Sequence, residues 1–198
     1  MLTAGRAYGF TIVELLVGIT LVAILLGLGA PALGNYLQNS KLAGAAASYF
    51  TGVQMARTEA IRRNVRTEFI LTDTPVSASD PANTAALLSN GKNWIVRAAS
   101  GAGYTLIEAK AGAEGDGSAA AAAIQVAATA SAIPFNGFGA TADGGTYTID
   151  ISNPLAGGCV GSPGGTIRCR RITVSPGGQV AACDPAASAA LGDSRACP

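Results

Sequence analysis

The stretch at residues 10–33 constrains the fold of this chain most strongly, because it is almost entirely apolar: FTIVELLVGITLVAILLGLGAPAL. Between residues 10 and 40 the only charged side chain is that of Glu14. Twenty-four residues in a helix span about 36 Å, which is enough to cross a bilayer core of roughly 30 Å. Before the stretch lies one basic side chain, Arg6, which favours a cytoplasmic N-terminus. The sequence therefore predicts a single membrane span.

Composition alone leaves the role of this span open. One interpretation is a plain membrane anchor, and another is a secretory signal that is cut at the small-x-small site of residues 30–32. The position of Glu14 adds a further constraint, because a charge near mid-membrane costs about 2.5–3.5 kcal/mol and marks a functional site by default. Glu14 is therefore a candidate functional residue.

Residues 9–16, GFTIVELL, resemble the processing signal of type IV prepilins and type II secretion pseudopilins. The resemblance implies that prepilin peptidase cleaves between Gly9 and Phe10 and methylates the new amino group of Phe10. It also implies that Glu14 pairs with the terminal amine of a neighbouring subunit during assembly, and that Pro31 permits a kink in the helix. Residues 1–9 would then be a leader peptide, and residues 10–33 a transmembrane and assembly helix.

An amphipathic pattern continues over residues 34–65 and predicts a second helical half with one buried face. Its apolar stripe consists of Leu42, Ala46, Tyr49, Val53, Ala56 and Ala60. Residues 55–65, MARTEAIRRNV, resemble the helix end of the GspH/FimT family of minor pilins and pseudopilins. Residues 133–139, IPFNGFG, resemble the mid-domain strand and turn of that family.

Residues 66–198 predict a β-rich domain, because short segments with a period of two alternate with turn residues. The candidate strands lie at residues 66–73, 92–99, 104–109, 124–128, 133–138, 145–152, 166–175 and 178–183, and loops are expected at 75–90 and 112–123. Closely spaced short strands favour antiparallel pairing. The expected fold class is α+β, a long N-terminal helix packed on an antiparallel sheet domain, as in type IV pilins.

The four cysteines, Cys159, Cys169, Cys183 and Cys197, all lie in the last forty residues. Outside the cytoplasm an even number of cysteines suggests two disulfides. Zinc is disfavoured because the paired CxxC spacing of a tetrathiolate site is missing, so no metal site is expected. Spacing cannot separate the three possible connectivities. We favour Cys159 with Cys169 and Cys183 with Cys197, and the second loop resembles the disulfide-bounded C-terminal loop of pilins.

Arg168, Arg170 and Arg171 form the strongest basic cluster of the chain. If this segment is one regular strand, Ile167 before the cluster and Ile172 after it point to opposite faces of the sheet. A β-bulge near Arg170 would place both side chains on the same face. Some FimT-type minor pilins bind DNA through a C-terminal Gly-Arg-x-Arg motif, whereas here no glycine directly precedes an arginine. Double-stranded DNA is accordingly kept as an alternative partner, although three arginines contact few phosphates.

The composition argues against an enzyme, because the chain has no histidine and shows neither metal-ligand spacing nor a phosphate loop. No cofactor is expected. The resemblance implies a minor pilin that works with prepilin peptidase and with other minor and major pilins, and that primes or connects filament assembly at or near a pilus tip. It would lie in the inner membrane, with a periplasmic C-terminal domain, before it enters the pilus. The alternatives are a DNA-uptake pilin and an H-type pseudopilin of type II secretion.

Overall fold

The computed structural model of the chain describes residues 11–112 and 124–198, apart from the side chains of residues 28–32. The predicted cleavage site at Gly9 and Phe10 and nearly all of the expected loop at residues 112–123 lie outside the described residues. The chain divides into two compact units, Met1–Leu37 and Gln38–Pro198. Most of the structural detail below concerns the second unit.

Helix α1 (Ile12–Arg63) covers most of the two segments predicted as helix, residues 10–33 and 34–65. It ends because Asn64 adopts a left-handed conformation with φ of 50°, a common way to terminate a helix. The turn at Gly137 lies directly against this cap, since a Cβ atom on Gly137 would be 2.3 Å from Asn64 Oδ1. The first strand then begins three residues after the cap.

Within the described residues, eight strands form two four-stranded antiparallel sheets. The first sheet has the order β3-β2-β1-β5, with β1 at Thr67–Thr72, β2 at Asn93–Ser100, β3 at Gly103–Ala111 and β5 at Ala132–Phe135. The second has the order β4-β6-β7-β8, with β4 at Gln125–Ala128, β6 at Tyr147–Ser152, β7 at Arg170–Val174 and β8 at Val180–Cys183. The α+β class expected from the sequence is confirmed.

The main core of Gln38–Pro198 lies between the second half of α1 and both sheets. All six residues of the predicted helical stripe are buried, and they belong to one cluster with the apolar side chains of the two sheets. The two largest buried side chains also form hydrogen bonds. Tyr49 Oη donates to the Lys92 carbonyl, 2.5 Å, and Trp94 Nε1 donates to Ser48 Oγ, 3.1 Å. Burial also raises the pKa of the Tyr49 hydroxyl.

The outer face of the first sheet is covered as well, which the alternation at residues 66–73 did not indicate. All six residues of β1 are buried. A short helix, α2 (Pro81–Thr84), lies within the expected loop at residues 75–90, and Ala85 just after it packs with Ile70 and Ile95 in a small second cluster. The loop assignment was therefore wrong for α2, where Pro81 occupies the first helical turn, a position that proline favours.

Strand β7 is shorter than the expected strand at residues 166–175, and the expected bulge near Arg170 is absent from its pairing with β6 and β8. The buried side chains of Ile167 and Cys169 precede the strand, which begins at Arg170. Ile167 instead forms an isolated parallel bridge with Cys159. The apolar residues change faces because the strand starts after Cys169.

Candidate functional site

The start of α1 places Glu14 in the first helical turn. The Glu14 backbone N–H donates to Thr11 Oγ1, 3.2 Å, so Thr11 caps the helix. Threonine followed three residues later by glutamate is the sequence pattern of a capping box. A carboxylate in this turn also lies at the positive end of the helix dipole. The sequence reasoning considered only an intermolecular role for Glu14 and missed this local one.

The part of α1 in the first unit exposes a nearly continuous apolar surface, in which the large side chains from Ile12 to Leu26 are all exposed. Exposed apolar area of this extent marks contact with protein or lipid. Pro31 lies inside the helix and is one of the five α1 residues whose side chains the structure does not describe. Within the described residues, no helical segment combines the length and the apolarity that a membrane crossing requires.

The family-like segments at residues 55–65 and 133–139 meet at the far end of α1. Arg57 Nε donates to the Gly139 carbonyl, 3.1 Å, and a Cβ atom on Gly139 would lie 2.6 Å from Ile61 Cδ1. Gly178, from the turn between β7 and β8, approaches so closely that its Cβ would collide with the Gly139 carbonyl. Both glycines have φ of 77°. The turn exposes Phe138 at 90%.

Near that helix end, Glu59 pairs with two arginines, Arg62 and Arg63, at 2.7 Å each. Hydrogen bonds from Arg62 and then Arg63 lower the pKa of Glu59 to about 2. These charges stabilise the last turns of the helix, where basic side chains also favour the negative end of the helix dipole.

The three arginines of the predicted basic cluster have different surroundings. Arg171 is committed to Asp150 by a bidentate ion pair with distances of 2.6 and 2.9 Å. Arg168 is exposed and Arg170 half-buried, and within residues 11–112 and 124–198 neither forms an ion pair. The Arg168 backbone N–H donates to Asn39 Oδ1, 2.7 Å. The cluster therefore offers two unpaired cations beside the point where α1 enters the second unit.

An acidic group lies close to this cluster. Asp193 forms an ion pair with Arg195, 2.7 Å, and this hydrogen bonding, with a smaller contribution from the charge of Arg168, lowers the pKa of Asp193 to about 2. The carboxylate partly offsets the positive charge at this end of the unit.

Two disulfides join the four cysteines, Cys159–Cys169 and Cys183–Cys197. The first closes the loop that leads into β7. The second ties the end of β8 to the C-terminal tail, where Asp184 also forms a bridge with Ala196. Cys169 directly precedes β7, and Cys183 at the end of β8 pairs with Arg171 near the start of β7. Both disulfides therefore lie at the same end of the second sheet as Arg170.

A buried ionic cluster on the first sheet was not anticipated. Arg97 Nη2 contacts Glu68 Oε2 at 2.8 Å, while Tyr104 Oη and Arg66 Nε donate to Glu68 Oε1 at 3.1 and 2.9 Å. Arg97 also donates to the Ala82 carbonyl, 2.8 Å, which attaches α2 to the sheet. The signal in the sequence was an arginine inside the apolar strand WIVRAA. We assign the cluster a structural role, since each buried charge is paired.

No group of three or more histidine, cysteine, aspartate or glutamate side chains in the described part of the chain could hold a metal ion. The cysteine sulfurs are used in disulfides. What the described residues offer is a set of surfaces: an apolar helix, a glycine-rich turn with an exposed phenylalanine, and an arginine-bearing end.

Two family models match the chain. The model described as "Type II transport protein GspH" matches residues 45–178, which is more than half of the chain, and the "Prokaryotic N-terminal methylation motif" matches residues 5–30. Together they span the predicted cleavage site, the apolar helix and most of the β-rich domain. No curated protein matches the chain significantly.

Among solved structures, the chain is similar to the type IV minor pilin FimU of Pseudomonas aeruginosa, with 13% identity and a TM-score of 0.52 over 74% of this chain and 90% of that one. It also matches the minor pseudopilin EpsH of the Vibrio cholerae type 2 secretion system, with 9% identity and a TM-score of 0.47 over 74% of this chain and 99% of that one. At these identities the likeness to FimU shows a shared fold.

Proposed function

This chain belongs to the GspH family and carries a prokaryotic N-terminal methylation motif, and from that membership we propose that it is a minor pilin of a type IV pilus. The chain is a type IV pilin-like minor pilin or pseudopilin, and it is not an enzyme. In the proposed role prepilin peptidase processes the chain, which then enters the filament at or near the tip and primes or connects assembly with other minor and major pilins.

One observation carries the proposal: the methylation motif and the GspH domain occur in one chain, joined by a single helix, α1. The motif includes Gly9, Phe10 and Glu14. The resemblance to type IV prepilins assigns cleavage and methylation to the first two residues and assembly to the third. The helix presents exposed apolar side chains suited to lipid before assembly and to other helices within a filament.

The proposed location follows from the same helix. The apolar run at residues 10–33 would hold the protein in the inner membrane, with Gln38–Pro198 in the periplasm before assembly and on the pilus afterwards. The two disulfides support this location, because disulfides persist in the periplasm and outside the cell.

Mass spectrometry of the membrane-extracted protein tests the processing step. We expect a mature chain that begins at N-methylated Phe10. Gly9→Val should block cleavage, because its branched side chain would crowd the site that accepts glycine. A mature N-terminus near Leu33 would instead mean that the segment is an ordinary secretory signal.

A second experiment tests the assembly role of Glu14. In lipid an unpaired carboxylate and an unpaired ammonium are both costly, so pairing Glu14 with the terminal amine of a neighbour would relieve both. Glu14→Val should therefore leave membrane insertion intact and reduce incorporation into filaments. Glu14→Gln, which keeps the size without the charge, is the matched control for shape. Incorporation of Glu14→Val at the wild-type level would refute the pairing role.

The second candidate is an H-type pseudopilin of type II secretion, which the description of the matching family favours. Deleting the gene separates the two candidates: loss of surface pili with normal secretion supports the pilus role, and loss of secretion with normal pili supports the pseudopilin role. Complementation with the Gly9→Val variant should fail in either case.

A further inference from the structure

Two loops of the second unit are fixed against the residues where α1 enters it. Asn153 Nδ2 donates to Gln38 Oε1, 3.1 Å, across 115 residues of sequence. The Arg168 backbone N–H donates to Asn39 Oδ1, 2.7 Å, across 129 residues. Both loops therefore lie at the end of the unit from which the chain continues to the apolar run.

The first loop presents a leucine to solvent at a fixed position. Ala156 N donates to the Asn153 backbone carbonyl, 3.1 Å, and to Asn153 Oδ1, 3.2 Å, so residues 153–156 form a closed turn. The Asn153 side chain is buried, whereas Leu155 at the tip of the turn is 80% exposed. Leu155 is therefore exposed at the tip of a turn that is closed by hydrogen bonds.

Two arginines lie on segments that neighbour this turn in the fold. Arg170 begins β7 opposite Ile151, two residues before the turn, and exposed Arg168 is held beside Asn39. Neither arginine forms an ion pair within the described residues. The acid nearby, Asp193, is neutralised by Arg195. We call Leu155, Arg168 and Arg170 the anchor-side surface.

Chain connectivity limits how far this surface can be from the apolar run. Leu33 ends the run and Gln38 begins the unit, and five residues span about 7.5 Å as helix and at most about 18 Å fully extended. Unpaired arginines that come within one screening length of a bilayer, roughly 8 Å at physiological salt, are attracted by acidic headgroups.

We propose that the anchor-side surface docks on an anionic phospholipid leaflet before the subunit enters a filament, with Leu155 in the interface and Arg168 and Arg170 against lipid phosphates. This inference rests on the proposed membrane anchoring. A leucine inserted at the headgroup boundary together with basic side chains is the combination that binds peripheral segments to acidic membranes. Docking would hold the domain in one orientation on the membrane.

Lipid fits this surface better than DNA does. The third arginine of the cluster, Arg171, is already paired with Asp150, and an exposed leucine has no use in a phosphate-backbone contact.

Tryptophan quenching by brominated lipid tests the proposal on the full-length chain. Leu155→Trp is reconstituted in phosphatidylglycerol–phosphatidylcholine vesicles with and without brominated acyl chains. We expect roughly twofold lower emission from this position with brominated lipid, because a ring at the interface lies within reach of the acyl chains. Phe138→Trp is the matched control, since Phe138 is also an exposed residue in a turn. Its neighbour Gly139 accepts a hydrogen bond from Arg57, which lies about 28 Å along the helix from Gln38. The native Trp94 is buried and supplies a constant background.

A charge-matched pair tests the arginines. Arg168→Gln combined with Arg170→Gln, in the Leu155→Trp chain, should reduce quenching on anionic vesicles and have little effect on pure phosphatidylcholine. Arg62→Gln combined with Arg63→Gln removes the same charge at the far helix end and should leave quenching unchanged. High salt should act like the first pair.

Flotation of the vesicles separates the possible failures. A chain that does not float with the vesicles refutes both the anchoring and this inference. A chain that floats without quenching at position 155 refutes the docking alone. Protection of position 155 in purified filaments but not in vesicles would assign the surface to a neighbouring pilin. Release of quenching by duplex DNA at physiological salt would assign the arginines to DNA and overturn the proposal.

Discussion

Replacing Gly52 with alanine should destabilise the domain even though alanine is the better helix former. Gly52 lies on the buried face of α1, where a Cβ atom would be 2.8 Å from Phe69 Cε2 and 3.0 Å from the Trp94 ring. Carbon atoms in contact prefer a separation of about 3.5–4.0 Å, so each ring would have to move by roughly 0.5–1 Å. Both rings are fully buried and have no free space to move into.

The magnitude follows from two opposing effects. Overpacking a core costs typically about 1–3 kcal/mol, and alanine in place of glycine within a helix gains about 1 kcal/mol. We expect Gly52→Ala to lose about 0–2 kcal/mol. Gly44→Ala is the matched control, because Gly44 is exposed on the same helix and its Cβ would meet nothing within 4 Å. It should gain about 1 kcal/mol.

Thermal unfolding of the two variants in detergent, followed by Trp94 emission, measures the difference. For a chain of this size 1 kcal/mol corresponds to a Tm shift of about 2–4 °C, so Gly44→Ala should melt several degrees above Gly52→Ala. Equal stabilisation by both substitutions would refute the close packing of the helix on the two rings.

Three further predictions concern the charges and cross-links of the domain. Arg97→Met should lower the free energy of unfolding by about 3 kcal/mol, because the Glu68 carboxylate stays buried with fewer partners; adding Glu68→Gln should restore part of the loss in urea titrations. The pKa of Glu59 is lowered to about 2, so its ion pairs stabilise the fold above the unfolded pKa of about 4.3, and this stabilisation is lost as the pH falls towards 2. Wild type should therefore be more stable than Glu59→Gln by at most about 1 kcal/mol at pH 6. This difference in the free energy of unfolding should vanish near pH 2. In hydrogen exchange, Cys197→Ser should expose only the tail, whereas Cys169→Ser should also expose β7; the reverse pattern would contradict the assigned loops.

The sequence predicts the helix and the strand-rich domain well because both depend on periodicity. The stripe from Leu42 to Ala60 repeats with the helical period, and each residue of that stripe is buried. Strand ends are predicted less well, since Ile167 and Cys169 alternate like strand residues but are held by a bridge and a disulfide rather than by a ladder. Only the pairing partners, which are distant in sequence, decide where β7 begins.

The polar contacts of the domain could not be predicted for the same reason. Glu68 and Arg97 are 29 residues apart. The alternation of residues 66–73 places Glu68 on the polar face of the strand, which is equally consistent with exposure to solvent. Burial of that face depends on α2, whose attachment through Arg97 to the Ala82 carbonyl has no local signature. The assembly roles of Gly9, Phe10, Glu14 and Pro31 stay predictions, because they concern events between molecules.

The arrangement of the core also sets the order in which the domain can be completed. The buried face of α1 is covered by strands of both sheets, and the last of these, β8, ends at Cys183. A chain is synthesised from its N-terminus, so the helix is made long before the strands that cover it. Until nearly the whole polypeptide has emerged, Tyr49 and Val53 have no completed core to enter. Termination before β8 would remove Val180 from the core cluster that covers the buried face of α1.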